Sequence, residues 1–268
     1  MMRMPGFTRR AILGGAVASI ALPASAHPRF AWPNGARGAV SFTYDDSLES
    51  QLELAAPALE AHGLRGTFFV TADNMQDDTA RWAALAKRGH EVADHTISHP
   101  CDLGRLSADA YRDRQIAPME LLLDRMDGPE RHKLFAYPCD VTNLGPGTPN
   151  QQAHRFAELL RAAGIAAART SEGEPNNPAR VARTRYRLQA LAAGYDAPKL
   201  EDVLRYLDTA QRRGHWAILV FHEIVDKVSA PGQVSAEMHG AILDAVRRRP
   251  LWCAPMGEAF DYCLRALP

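Results

Sequence analysis

Asp45 and Asp46 stand side by side in the stretch TYDDSLES, residues 43–50, directly after the β-type apolar run GAVSFT and before a helix-like segment. Adjacent carboxylates repel each other, and a cation or a proton relieves them. The stretch DHTISHP, residues 94–100, offers partners for a cation. His95 and His99 are spaced i, i+4, and a single helical turn ended by Pro100 is expected to set both imidazoles on one side. With one carboxylate of the pair they make a two-His, one-carboxylate set, three protein ligands that leave a place for water, as in catalytic zinc sites. HxxxH alone also occurs on ordinary surfaces, so the weight lies on its combination with an Asp-Asp pair at the end of another strand.

The elements that must position these residues follow one grammar. A helical pattern closes on glycine and a β-rich run follows: ALEAHG leads to GTFFVTA, LAKRG to HEVADH, LLRAAG to IAAAR, and AQRRG to HWAILVF. Glycine just past a helix fits the left-handed cap, and near-continuous apolar runs suit strands buried on both faces. With AVSFTYDD, KLFAYP and LWCAP this makes about seven strands in one parallel α/β domain. An open doubly wound sheet and a barrel share the pattern. Asp45 and Asp46 end the first strand, His95 and His99 follow the third, Cys139 and Asp140 the fourth, Arg169 ends the fifth and His222 the sixth. Parallel α/β folds bind ligands at the carboxyl ends of their strands, so these groups are expected to converge.

The setting is bounded by composition. The chain has 268 residues, 46% of them apolar, and a formal net charge of +0, which is enough for a sizeable core and unlike a nucleic-acid binder. Residues 1–26 read as an export signal: Arg9-Arg10, a 12-residue mild apolar run from Ala11 to Leu22, then Ala24-Ser25-Ala26. The order Thr8-Arg9-Arg10-Ala11-Ile12-Leu13 is similar to that of twin-arginine signals, and the run is too short to span a bilayer. This assigns residues 27–268 to the mature domain, without a stable membrane span, in the periplasm or outside the cell. Residues 1–26 carry three arginines and no acid, against 31 basic and 31 acidic residues in the whole chain, which leaves the rest at −3. Cys101, Cys139, Cys253 and Cys263 form no CxxC pair, so a structural zinc ribbon is not expected. An oxidising compartment permits disulfides; Cys101 with Cys139 is one pairing open to the chain, and free thiols are the alternative.

Thr43-Tyr44-Asp45-Asp46, His95-Thr96-Ile97-Ser98-His99 and Val220-Phe221-His222, together with HGLRGTFFV and RGHEVADHT around the first two, resemble the polysaccharide deacetylases of the NodB-homology type, carbohydrate esterase family 4. The resemblance spans most of residues 38–265. It implies a distorted (β/α) barrel with fewer units than a regular eightfold barrel. It also implies a hydrolase that removes N- or O-acetyl groups from an acetylated glycan or related acylated substrate. Asp46, His95 and His99 would ligate a divalent metal, most simply Zn2+; Asp45 would be the base and His222 the acid, while the backbone N–H of Cys139 would serve the oxyanion. The third motif departs from the family: Ala136-Tyr137-Pro138-Cys139-Asp140 keeps only the proline, and the arginine that would pair with the catalytic Asp is absent. Arg169 and Arg183 are the candidate replacements, and no acid or Trp of the fourth motif can be placed.

Three readings of function follow. The deacetylase is preferred because Asp45, Asp46, His95, His99 and His222 are all present. A catalytically silent carbohydrate-binding member of the fold, or a hydrolase of a small non-glycan amide, is the alternative. Trp82, Trp216 and Trp252 are read as core, and His62, His90 and His215 as lying away from the chemistry. A copper site on His27 as a new N-terminus lacks a partner histidine. The loops CDVTNLGPGTPNQQ and TSEGEPNNPARVA follow strands and are expected to rim the pocket.

Overall fold

The computed structural model describes residues 30–76 and 78–266, together with Met1 and Met2; the export segment and His27 otherwise lie outside the described residues. Ten strands are β1 (Ala39–Asp45), β2 (Thr67–Val70), β3 (Glu91–Asp94), β4 (Leu134–Ala136), β5 (Ala167–Arg169), β6 (Leu191–Ala192), β7 (Trp216–Phe221), β8 (Glu223–Val225), β9 (Gln233–Ser235) and β10 (Trp252–Cys253). The main sheet runs β5-β4-β3-β2-β1-β7-β6, all parallel, with β10 beside the first residues of β1. The seven runs expected from the sequence are β1–β5, β7 and β10. The additional β6 comes from LQALAAG, whose Leu and Ala content favours helix and hides a two-residue strand.

The sheet curls into a distorted barrel. Its two end strands are linked by one stretch of chain: Leu188 bridges Arg169 at the end of β5, and three residues later β6 pairs with β7. Alternation sorts the strand residues into two layers. Val40, Phe42 and Tyr44 of β1 and Ala217, Leu219 and Phe221 of β7 pack with the surrounding helices, among them Ala56–Ala61, Leu200–Arg213 and Ala236–Arg247. Ala39 of β1 and Trp216, Ile218 and Val220 of β7 face the interior with Phe69, Ala93, Leu134, Ala136 and Ala167, against the C-terminal helix Met256–Arg265. Both faces of β1 and β7 are buried along their whole length, which is why these strands read as continuous apolar runs. The glycine caps behave as expected at Gly63 and Gly214, with φ of 66° and 71°.

The small polar residues on the interior face of β1 are satisfied by backbone. Ser41 Oγ donates to the Ala254 carbonyl at 2.8 Å and accepts from Trp216 Nε1 at 3.0 Å, and Thr43 Oγ1 donates to the Leu219 carbonyl at 2.9 Å. On the outer face Tyr44 stacks between Phe68 and Phe221, and its hydroxyl hydrogen-bonds with His239 Nε2 at 2.7 Å. Burial pushes His239 down to about 4, which favours a neutral imidazole. Burial, partly opposed by Glu60, likewise pushes His90 down to about 4.

Both histidines titrate near 6.5 when the chain unfolds, so below that pH the unfolded chain binds protons that the fold excludes. Stability present above pH ~6.5 should therefore be lost as the pH falls towards the folded values near 4. Thermal unfolding midpoints measured across this window should fall, and His239→Gln should flatten the slope. A wild-type midpoint that stays level across the window would refute the assignment.

Candidate active site

Asp45 is the last of the interior series 39, 41, 43, 45, so β1 itself carries its carboxylate into the barrel, where it is 3% exposed. Regular alternation would send the second carboxylate outward; the backbone departs from it here, although of the pair only Asp46 joins the histidines in the donor set. Asp46 has φ of 82° and Ser47 of 56°, a left-handed kink that turns the second carboxylate back over the same cavity. Ser47 Oγ holds the kink by accepting from the Thr71 N–H at 2.8 Å and donating to the Thr71 carbonyl at 3.1 Å, while Asn74 Nδ2 donates to the Asp46 carbonyl at 2.9 Å.

The expected helical turn over residues 95–99 is not formed. Thr96 has φ of 73° and His99 of 51°, and the loop is held by side chains instead. Asp94 Oδ1 accepts from the Thr96 N–H at 2.6 Å, Thr96 Oγ1 from the His99 N–H at 2.9 Å, and Gln115 Oε1 from the N–H groups of Ile97 and Ser98 at 3.1 Å each. The two imidazoles still meet, edge to face with centroids 4.7 Å apart. His95 Nδ1–H donates to the Ala136 carbonyl at 2.9 Å, which directs Nε2 towards the carboxylates.

Asp46 Oδ1 lies 3.4 Å from His95 Nε2 and 3.5 Å from His99 Nε2. Ligands bound at ~2.1 Å in tetrahedral geometry stand roughly 3.4 Å apart, so this donor set has the size and chemistry for a zinc-like cation. Burial works to raise the Asp46 carboxyl, but the hydrogen bond from His95 and the charges of His95, His222 and His99 outweigh it and hold the group at about 2. Burial and the neighbouring His95 charge lower His99, which favours the unprotonated, ligating form.

Asp45 has a different partner. Arg169 at the end of β5 donates from Nη2 to Asp45 Oδ1, and the pair is enclosed, with Arg169 1% exposed and its guanidinium 4.5 Å from the centre of the Phe69 ring. Oδ2 is left facing the histidines, 3.9 Å from His95 Nε2. Of the two arginines that the sequence offers for this place, Arg183 lies exposed in the helix Val181–Thr184 and does not reach Asp45.

His222, directly after β7, lines the same cavity of about 380 Å3. Buried Gln51, which the sequence reading passes over, ties the two strand ends together: its Nε2 donates to the Asp45 carbonyl and, at 3.0 Å, to the His222 carbonyl. Tyr195 packs its ring edge against His222 at 5.2 Å, and no acid pairs with the His222 ring among the described residues. Cys139 sits at the cavity wall with φ of 52° and forms a disulfide with Cys101, whose Sγ is 3.8 Å from His99 Nδ1. The bridge joins the ligand loop to the third-motif loop; Cys253 and Cys263 are free.

The rest of the wall is Tyr137, Asp140, Ser171, Glu172, Ala192, Tyr195 and Asp196. The two expected rim loops therefore contribute only their first residues. Tyr195 and Asp196 follow β6 and went unread with that strand; neither they nor Gln51 belong to a recognisable motif. None of the three expected core tryptophans, nor His62, His90 or His215, lines this cavity.

Comparison with known proteins places these features. Residues 33–143 match the family model described as polysaccharide deacetylase. This stretch is similar to the polysaccharide deacetylase family. It contains Asp45, Asp46, His95, His99 and Cys139, whereas Arg169 and His222 lie beyond it. A peptidoglycan-N-acetylglucosamine deacetylase from Bacillus cereus is 31% identical over 90 residues, 33% of this chain and 32% of that protein. The chain spans about a third or less of the length of the curated relatives it matches. The fold likeness is wider: a crystal structure of a candidate polysaccharide deacetylase from Mycobacterium smegmatis superposes with a TM-score of 0.64 at 16% identity, covering 90% of this chain and 96% of that one. A CE4 family pseudoenzyme from Bacillus anthracis shares the fold at a TM-score of 0.55 and 13% identity, covering 84% of this chain and 66% of that one. Deacetylase relatives and a pseudoenzyme thus share this barrel, and chemistry has to be argued from the residues.

The Asp45–Arg169 pair can be tested without substrate. Arg169→Met strands a buried carboxylate and should cost roughly 3–5 kcal/mol in urea unfolding, and adding Asp45→Asn should restore a large part of the loss. A single Arg169→Met variant as stable as wild type would show that the ion pair is not needed. Peptide mapping without reduction should recover Cys101 and Cys139 in one linked fragment; unlinked peptides would remove the bridge.

Proposed function

We propose that the protein is a metal-dependent hydrolase that removes acetyl groups, N- or O-linked, from a carbohydrate polymer or oligomer. The observation that carries this reading is the convergence, in one cavity, of the Asp46–His95–His99 donor set with the Asp45–Arg169 pair on one side and His222 on the other. Asp46 Oδ1, His95 Nε2 and His99 Nε2 would hold a divalent cation, most simply Zn2+. When bound, such a cation acidifies water and offsets developing negative charge on an acyl oxygen.

The chain's own groups divide the remaining tasks. Asp45 Oδ2 accepts the proton of the attacking water, while Arg169 occupies Oδ1 and orients the carboxylate. The Cys139 N–H donates to the oxyanion, and the Cys101 bridge holds that loop in place. His222, supported by Gln51 at its carbonyl and by Tyr195 at its ring, delivers a proton to the departing amine nitrogen or alkoxide oxygen. The presence together of Asp45, Asp46, His95, His99 and His222 favours turnover over a silent role.

The twin-arginine-like order of residues 8–13 supports a mature chain in the periplasm or outside the cell, and the Cys101–Cys139 disulfide suits such an oxidising compartment.

Acetate release from acetylated chitin-, peptidoglycan- and xylan-type oligomers should be lost on chelation and recovered with zinc. Asp45→Asn should retain metal and lose about 100-fold or more in turnover, whereas Asp46→Asn, His95→Ala and His99→Ala should lose the metal itself. Stoichiometric zinc in His95→Ala by elemental analysis would sink the ligand assignment, and equal zinc loss in Asp45→Asn and Asp46→Asn would sink the division of labour.

A further inference from the structure

The reaction cavity does not end at its rim. Asp140 and Glu172 also line a second cleft with Thr142, Thr170, Arg187 and Gln189, and that cleft shares Thr142 and Arg187 with a third. Tyr137 stands in the wall of both the first and the third. The three adjoin through these shared residues as one trough-like series, and their charge changes from one to the next. The reaction end presents Asp140, Glu172 and Asp196; the far end is lined by Arg161, Arg183 and Arg187 and by no carboxylate.

Two of these guanidinium groups are uncommitted. Arg161 pairs with Glu158 and lies 5.6 Å over the Tyr186 ring, but Arg183 and Arg187, both exposed, have no ion pair among the described residues. The floor beneath them is firm. Tyr137 donates to the Tyr186 carbonyl at 2.9 Å, and Tyr186 donates to the Ile165 carbonyl at 3.0 Å, with both rings buried. Free guanidinium groups above this fixed floor offer forked donors to an oxyanion.

We infer that the far end of the trough is a second subsite, in which Arg183 and Arg187 bind an anionic group, carboxylate or phosphate, on a glycan unit beside the one that carries the acetyl group. The substrate class is then an acidic acetylated glycan. This rests on the deacetylase reading for the scissile bond but not for the binding itself, which separates the two tests. The acidic reaction end agrees with the inference, since it keeps the anionic unit away from the bond to be cut and fixes the direction in which the chain lies.

Matched substrates provide the test: acetylated xylo-oligosaccharides with and without a uronic acid branch, and N-acetylglucosamine tetramer against a peptidoglycan tetrasaccharide. The anionic member of each pair should show a KM lower by about five-fold or more, and the double variant Arg183→Ala/Arg187→Ala should bring the ratio near one, with Arg→Lys at both positions restoring part of it. Glucuronate and inorganic phosphate as competitors distinguish the two anions. Calorimetric titration with the deacetylated, uronic-acid-bearing oligosaccharide reads the subsite without turnover and should weaken about five-fold or more in the double variant. Equal KM values within the pairs, or unchanged calorimetric affinity in the double variant, would overturn the subsite. Absence of acetate release from every substrate, with calorimetric binding still dependent on the arginines, would overturn the deacetylase reading and leave the subsite standing.

Discussion

Two neighbouring carboxylates brought to one side of a strand end are the constraint around which the rest is arranged. In a partly buried site with an effective dielectric near 20, unit charges ~4 Å apart interact by about 4 kcal/mol, so the pair is tenable only if positive charge meets each member. Asp45 receives it from Arg169, deep in the barrel against Phe69. Asp46 is left to the imidazoles of His95 and His99, in a donor spacing suited to a cation. Different partners give the two carboxylates different environments, although they are adjacent in the chain.

Holding this arrangement costs backbone energy. Asp46, Ser47, Thr96, His99, Cys139 and Asp140 all adopt positive φ, and all lie on the loops that surround the cavity. Left-handed conformations of non-glycine residues cost of order 1 kcal/mol each and persist only where their surroundings over-determine them. Here they are: Ser47 against Thr71, Asp94 and Thr96 within the histidine loop, and Asp140 against the N–H and hydroxyl of Ser171. The disulfide adds a covalent tie between two of these loops. Gln51 performs the corresponding task between the ends of β1 and β7, where it bonds the carbonyls of Asp45 and His222.

The relocated arginine explains how an altered third motif is accommodated. Ala136 stands where the family resemblance calls for arginine, and its carbonyl is the acceptor that orients His95. The next strand over supplies the cation instead. Arg169 pairs in register with Ala136 across β4 and β5, so its side chain enters the interior at the same level. A similar adjustment accompanies Tyr44, whose hydroxyl would be an unsatisfied polar group in the outer core without His239.

Much of the candidate site was legible in the chain itself. Asp-Asp after an apolar run, HxxxH after another and His222 after a third identify strand ends by local pattern alone, because buried parallel strands are apolar throughout and a polar residue marks where burial stops. The glycine-capped helices are equally local signals. What the sequence left open were the features that depend on neighbours across the sheet. Alternation predicted opposed carboxylates and i, i+4 spacing predicted a helical turn; left-handed kinks stabilised by distant side chains overrode both. The choice of Arg169 over Arg183, the pairing of Cys101 with Cys139 and the roles of Gln51 and Tyr195 were likewise decided by the fold. Each rests on a contact between residues far apart in the chain, and sequence spacing carries no information about a distance that only the curled sheet closes.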